Sequence, residues 1–443
     1  MGAGRHGAPV ARALDAATGA LRWVAGAAVN GRDGARWPVT RAPGSPLADD
    51  LYDGTAGILR GFTEARLCGL GEFDEPARAA ARRLESLGRS WPGPRTAGPA
   101  EDADPGLYTG LAGAVAALRG WALASGDRHL DESARAIAET LARVASRSPP
   151  PGGCPDIISG DAGILVTLAG LGGPAALGAV SVITSRLVAR ATWDGDGPDW
   201  YVRDGYPYLM PNFSHGAAGV GFALATAGRA LGRPGPVEVA ESAGRRLAVL
   251  GRRPDGTIAV PNRIPPDPRR PVSYGWCHGP TGTMRLFQLL DQLRPGRGWD
   301  EMARACRLAV RHSGLPERLY PGFWDNLGQC CGTAGVGEMA LDTYQETGDA
   351  SWLDWAWALA GDLLARRVED GAGVRWSHTE HRLDPPELEP ATGWMQGAAG
   401  IAGFLLRLAR VEREGAGATR AWWPDRPSLP GAPLPGVPLP GAE

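Results

Sequence analysis

Two histidines and three cysteines stand in short glycine-ended motifs whose side chains can hold a metal or move a proton. The motifs are Ser214-His215-Gly216, Trp276-Cys277-His278-Gly279 and Gln329-Cys330-Cys331-Gly332. Zinc accepts thiolate and imidazole, and a catalytic zinc site pairs three protein ligands with one open position. Cys277, Cys330 and Cys331 can supply those three ligands. A cysteine is also often a small buried apolar residue, which suits Cys68 and Cys306. Cys154 lies in a Pro/Gly loop with no second ligand beside it and receives no role. A vicinal disulfide between Cys330 and Cys331 is a further alternative, with no reason to persist in a reducing compartment. His6, His129, His312, His378 and His381 lie away from the motif glycines and read as solvated.

What positions these residues is a repeat. A Gly-x-x-Gly followed by an apolar run begins at Gly54, Gly110, Gly160, Gly216, Gly279, Gly332 and Gly397, at intervals of 56, 50, 56, 63, 53 and 65 residues. Such a period accommodates two helices and two connections. One helix per unit is amphipathic: Ala134, Ile137, Ala138, Leu141 and Val144 share a face. The other starts at the glycines and is apolar nearly all round, as in Ile164-Leu165-Val166-Thr167-Leu168-Ala169, the pattern of a buried helix. One wet and one dry helix, seven times, describes an all-α double layer closed into an α/α toroid of about fourteen helices. An open solenoid is the alternative. Glycine is expected at the start of each inner helix because an unusual turn and close approach both need a missing Cβ. Free N–H groups at those helix starts would favour anions and thiolates.

Long aromatic loops, Trp193 to Ser214, Arg252 to Trp276 and Val374 to Trp394, lead into the glycine ends and are expected to rim the face that carries the chemistry. Residues 1–415 read as the toroid. Residues 416–443, ending in PDRPSLPGAPLPGVPLPGAE, read as a Pro-rich disordered tail. A net charge of -2 gives no footprint for nucleic acid or anionic membrane. No apolar stretch reaches the ~20 residues of a membrane span, and no signal peptide is visible. A cytoplasmic protein is therefore expected.

The ordered motifs resemble those of the lanthionine synthetase C family of cyclases. The resemblance covers roughly residues 45 to 415 and rests on the seven repeats, Ser214-His215-Gly216, Trp276-Cys277-x-Gly279 and Cys330-x-Gly332. It implies a seven-fold α/α toroid with Zn2+ at one end. It also implies Michael addition of a peptide cysteine to a dehydroalanine or dehydrobutyrine, forming lanthionine or methyllanthionine. Cys277 and Cys330 match the family's zinc cysteines, and Cys331 stands where most members carry histidine. His215 matches an active-site histidine and general acid or base. Asp156 matches an active-site aspartate, which either orients that imidazole or takes the thiol proton. His278 replaces a common aromatic residue, and Ser273-Tyr274 stand where a basic residue is frequent. An all-thiolate zinc is more electron-rich than the mixed one, so a reactive site tolerant of ring size is expected. The substrate would be a dehydrated precursor peptide, with the dehydroamino acids made by a separate dehydratase. Two other readings keep the fold: addition of a small thiol such as glutathione to dehydroamino acids, and a non-catalytic peptide-binding scaffold for the dehydratase.

Overall fold

In a computed structural model the chain is described over residues 7–91, 104–195, 197–269, 272–319, 324–379 and 383–428. His6, His381 and residues 429–443 lie outside the described residues. Fourteen helices are found among them. They are α1 (Gly7–Ala25), α2 (Thr55–Leu67), α3 (Asp74–Ser90), α4 (Leu111–Ser125), α5 (Arg128–Arg147), α6 (Asp161–Leu171) and α7 (Pro174–Ala189). The later half holds α8 (Ala217–Leu231), α9 (Pro234–Gly251), α10 (Pro280–Leu293), α11 (Trp299–Arg311), α12 (Thr333–Thr347), α13 (Ala350–Ala365) and α14 (Ala398–Glu414).

Every even-numbered helix starts on a repeat glycine. In α6 all residues from Asp161 to Leu168 are buried, so the helix without an apolar stripe is the one enclosed on all sides. The odd-numbered helices are one-sided. In α11 only Trp299, Ala303, Cys306, Ala309 and Val310 are buried, a single face at helical spacing. In α5 the same holds for Ala134, Ile137, Ala138 and Leu141. Gly232 and Gly348 close α8 and α12 in the left-handed conformation that ends a helix without a Cβ penalty.

One compact unit is built on α1–α3 and α12–α14. Here α12 pairs with α13, whereas α14 pairs with α1, from the other end of the chain. The seventh repeat thus takes its outer helix from the N-terminus, and α2, the first inner helix, packs on α14, the last. A small antiparallel sheet, Val29–Gly31, Gly34–Pro38 and Leu47–Ala48, joins this unit. Its inner helices are not uniformly apolar: Arg410 pairs with Glu64 at 2.7 Å, and Arg407 with Asp342 at 2.6 Å and with Glu338. Such buried charges persist only when paired and hydrogen-bonded.

The second unit is built on α6–α11. It is a row of hairpins, α6 with α7, α8 with α9 and α10 with α11, whose even members also pack on their even neighbours. Of the expected aromatic loops, two are tied by an antiparallel bridge between Leu209 and Ile264.

The expected tail needs correction over its first part. Gln345 Nε2 donates to the carbonyls of Ala416 and Ala418, and Arg410 Nε to that of Thr419. Asp425 is fully buried between Tyr108 and Arg285. Composition reads this segment as unable to pack, yet Trp423 and Asp425 are buried and Arg420 pairs with Asp342 at 3.3 Å.

Candidate metal and proton-transfer site

Each motif is a loop folded back over the start of its inner helix. In the repeat at Gly160, the N–H groups of Asp161, Ala162 and Gly163 donate to the carbonyls of Cys154, Pro155 and Asp156, each seven residues earlier. The repeats at Gly110, Gly332 and Gly397 do the same. These donors, which an ordinary helix leaves orphaned, are occupied in those four repeats, where the expectation of free N–H groups for anions is corrected. The glycines have a steric cause. A Cβ on Gly216 or Gly219 would collide with the carbonyls of Met210 or Phe213, each six residues back. The first glycine adopts extended φ, -113° at Gly54 and -148° at Gly216. Close approach therefore requires glycine here, and an unusual turn does not.

The folded-back loops connect to one another through residues two or three positions before each first glycine. Tyr108 N–H donates to Ile158 O at 2.8 Å, Ile157 N–H to Ser214 O at 3.3 Å and Ser214 N–H to Cys277 O at 3.0 Å. A second run has Cys330 N–H on Met395 O at 3.0 Å and Met395 N–H on Tyr52 O at 2.9 Å. Two of the three cysteines are thus repeat-equivalent positions on a hydrogen-bonded ladder. The residue just before each first glycine comes next: Asp53, Thr109, Ser159, His215, His278, Cys331 and Gln396. Every remaining candidate except Asp156 occurs in that series.

The Sγ atoms of Cys277, Cys330 and Cys331 lie within 4.8 Å of one another, and those of Cys330 and Cys331 are 3.4 Å apart. Thiolates at about 2.3 Å from a tetrahedral zinc stand about 3.8 Å apart, so the donor set fits that ion. None of the six cysteines is disulfide-bonded. Around the vicinal pair the neighbours are neutral donors. Gln396 Nε2 reaches Cys331 Sγ at 3.8 Å and Tyr52 OH at 3.0 Å, while Asn326 Nδ2 donates to Gln396 Oε1 at 2.7 Å. Burial and the neighbouring Cys330 and Cys331 drive the Tyr52 phenol well above its ordinary pKa, so it remains a hydrogen-bond donor.

Asp156 and His215 form the other cluster. One oxygen of Asp156, a 2 % exposed side chain, accepts the N–H groups of Ile158, Ser159 and Gly160 at 2.9–3.1 Å. The other stands 2.6 Å from His215 Nδ1. A carboxylate saturated in this way can only accept, so the proton of a neutral His215 sits on Nδ1 and its Nε2 is open. The His278 ring lies 5.5 Å from that of His215.

Residues 45–415 match the family described as Lanthionine synthetase C-like protein. The chain belongs to that family. Among solved structures it is similar to nisin cyclase, with 15% identity, a TM-score of 0.60, and coverage of 81% of this chain and 88% of the other. Unsaturated glucuronyl hydrolase from Bacillus sp. GL1 aligns with 16% identity and a TM-score of 0.48 over 92% of this chain and 98% of the other. No curated protein matched in sequence. The fold is an α/α toroid, so the closed reading holds over the open solenoid.

Within this lanthionine synthetase C-like frame, all three predicted cysteines come together, and Asp156, His215 and His278 form a second group. His378 is the residue misjudged. It is 5 % exposed; its Nδ1 accepts Leu327 N–H at 3.2 Å, and its Nε2 faces the carbonyl of Gln396. Burial lowers its pKa, and both ring nitrogens are spent on backbone. Tyr52, Asn326, Gln396 and Asp53 also line the site without belonging to any metal or proton-transfer motif of the sequence. Asp53, pushed up to about 6 by burial and by Asp50, shares the position of His215 and Cys331 before the first glycine, a register readable in the sequence. Among the described residues, no helix is long and apolar enough to cross a membrane.

Proposed function

We propose that this chain is a zinc-dependent lanthipeptide cyclase, adding cysteine thiols of a dehydrated peptide to its own dehydroalanine or dehydrobutyrine residues. The convergence of Cys277, Cys330 and Cys331 within 4.8 Å carries the reading, and the family match supports it. Zinc held by these three thiolates would supply a Lewis acid that acidifies a substrate thiol in the fourth position.

The chain's own residues account for the proton. Asp156 keeps the His215 proton on Nδ1, leaving Nε2 to accept the one released by the substrate thiol. The sulfur bonds to Cβ of the dehydroamino acid, and the displaced electron pair moves onto the carbonyl oxygen as an enolate. His215 Nε2 then returns the proton to Cα, so the net change is addition of S–H across the double bond. The geometry favours Asp156 as the group that orients the imidazole, since both of its oxygens are already engaged. His278, beside His215 and next to Cys277 in sequence, extends the proton path. A separate dehydratase supplies the peptide, and a cytoplasmic setting keeps the thiols reduced.

The test is to mix zinc-loaded protein with a dehydrated precursor peptide and titrate free thiols, with and without a chelator. Thiol loss at unchanged peptide mass, abolished by the chelator, is expected. Consumption only when glutathione is added would replace the cyclase by a small-thiol transferase. An unchanged thiol titre would leave a peptide-binding scaffold.

A further inference from the structure

Family resemblance ends at residue 415, yet ten residues later a carboxylate is completely buried against the ladder that carries Cys277. Asp425 Oδ2 accepts the Tyr108 O–H at 2.5 Å, and its Oδ1 accepts Arg285 Nη1 at 2.7 Å. Arg285 also reaches the Asp425 carbonyl at 3.1 Å, and Gln292 Nε2 holds Ser428 O at 2.8 Å. Tyr108 is a ladder residue: its own N–H donates to Ile158 O. Its ring packs at 4.9 Å on Trp276, which immediately precedes Cys277, and Trp276 packs at 5.7 Å on Phe213, two residues before His215. The Arg285 guanidinium lies over both rings, 5.4 Å from Phe213 and 5.9 Å from Trp276.

Resting on the cyclase reading above, we infer that Asp425 is a positioning residue, acting from a C-terminal segment outside the family core. It fixes Tyr108 and Arg285, and through them the Phe213 and Trp276 rings that set the backbone of His215 and Cys277. Two physical arguments point this way. A carboxylate with no exposure is retained only where both oxygens are engaged by strong donors. The Tyr108 phenol, held well above its ordinary pKa by burial and by Asp425, stays a proton donor to that carboxylate across the neutral range. The pair therefore acts as a fixed strut beneath two residues whose placement has to hold to a fraction of an ångström.

Asp425→Asn and Tyr108→Phe each remove one end of the strut while keeping its shape. In the full-length zinc protein each is expected to lower kcat for cyclisation roughly tenfold with KM within about twofold, since a small misplacement at the chemistry costs that much. The double variant should be no worse than the poorer single. Asp425→Glu is expected to recover part of the loss. With Co2+ in place of zinc, the thiolate-to-metal absorption band should shift in both single variants. An unchanged kcat and an unchanged cobalt spectrum, even with a lower Tm, would reduce Asp425 to an anchor for the chain end and overturn the inference. If the wild-type protein consumes no thiol, the cyclase reading fails. The cobalt spectrum and the alkylation rate of Cys277 in the metal-free protein, unchanged or several-fold altered, then decide the positioning role alone.

Discussion

Cys331 and His215 occupy the same position of the repeat, one before the first glycine, yet the surroundings of the Cys330–Cys331 pair and of the Asp156–His215 pair differ in kind. Around the thiols stand an amide and a phenol, Gln396 and Tyr52, with Asn326 and His378 fixing Gln396 from behind. Around His215 stands a carboxylate whose other oxygen is saturated by three N–H groups. Electron-rich sulfur is stabilised by donors that cannot themselves lose a proton at neutral pH, whereas an imidazole that must trade protons needs one tautomer enforced. On the cyclase reading proposed above, one repeat scaffold would provide both a soft metal-binding corner and a proton-moving corner, and the residues just behind the functional atoms would decide which is which.

The comparison breaks most sharply at the metal corner. Cys330→Ser removes a ladder cysteine while leaving its N–H bond to Met395 intact. Zinc content by elemental analysis should fall from about one per chain to near zero, with cyclisation reduced at least roughly a thousandfold. Hydrogen exchange at Ile158–Gly160 should not change, because Asp156 holds those amides without the metal. Retained zinc at full stoichiometry would separate Cys330 from the metal site.

At the proton corner, Asp156→Asn keeps an oxygen for the three N–H groups but turns an amide N–H toward His215 Nδ1. His215 must then accept at Nδ1 and carry its proton on Nε2, the reverse of the wild-type arrangement. The expected result is a kcat loss of roughly 10²–10⁴-fold with zinc content unchanged, and a 15N shift of the two ring nitrogens that reports the inverted tautomer. Loss of zinc together with activity would show that the two corners are not separable.

Much of this was legible before any coordinates. The seven glycine pairs gave the helix starts, and the motif cysteines the donor set, because backbone collision and soft ligands each leave few residue choices. What stayed hidden depended on contacts between distant segments. His378 sits in a loop of polar neighbours, and only the fold turns both its nitrogens onto the backbone of Leu327 and Gln396. Asp425 lies in proline-rich sequence whose composition argues for disorder, and a single buried partner pair reverses that. The outer helix of the last repeat stands at the N-terminus, where α1 packs on α14, a pairing of distant segments that leaves no local trace in the sequence.

The smallest effect is expected at Gln396, where the donor shell of the metal corner can be thinned without touching a ligand. Gln396→Leu deletes the donors to Cys331 and Tyr52 and the acceptor for Asn326, all of them side-chain bonds. The backbone there remains held by His378 and by Met395, whose N–H reaches Tyr52 O, so the cysteines stay in place. Outer residues of a metal site typically tune affinity by 10–100-fold, and a neutral amide at 3.8 Å from sulfur belongs at the low end. Zinc affinity by competition with a chromophoric chelator should weaken about tenfold. At saturating zinc, kcat should stay within roughly threefold, because His215 and Asp156 are untouched. A kcat loss as large as that of Asp156→Asn would mean that Gln396 contacts the reacting peptide itself, and the division between a metal corner and a proton corner would then have to be redrawn through Gln396.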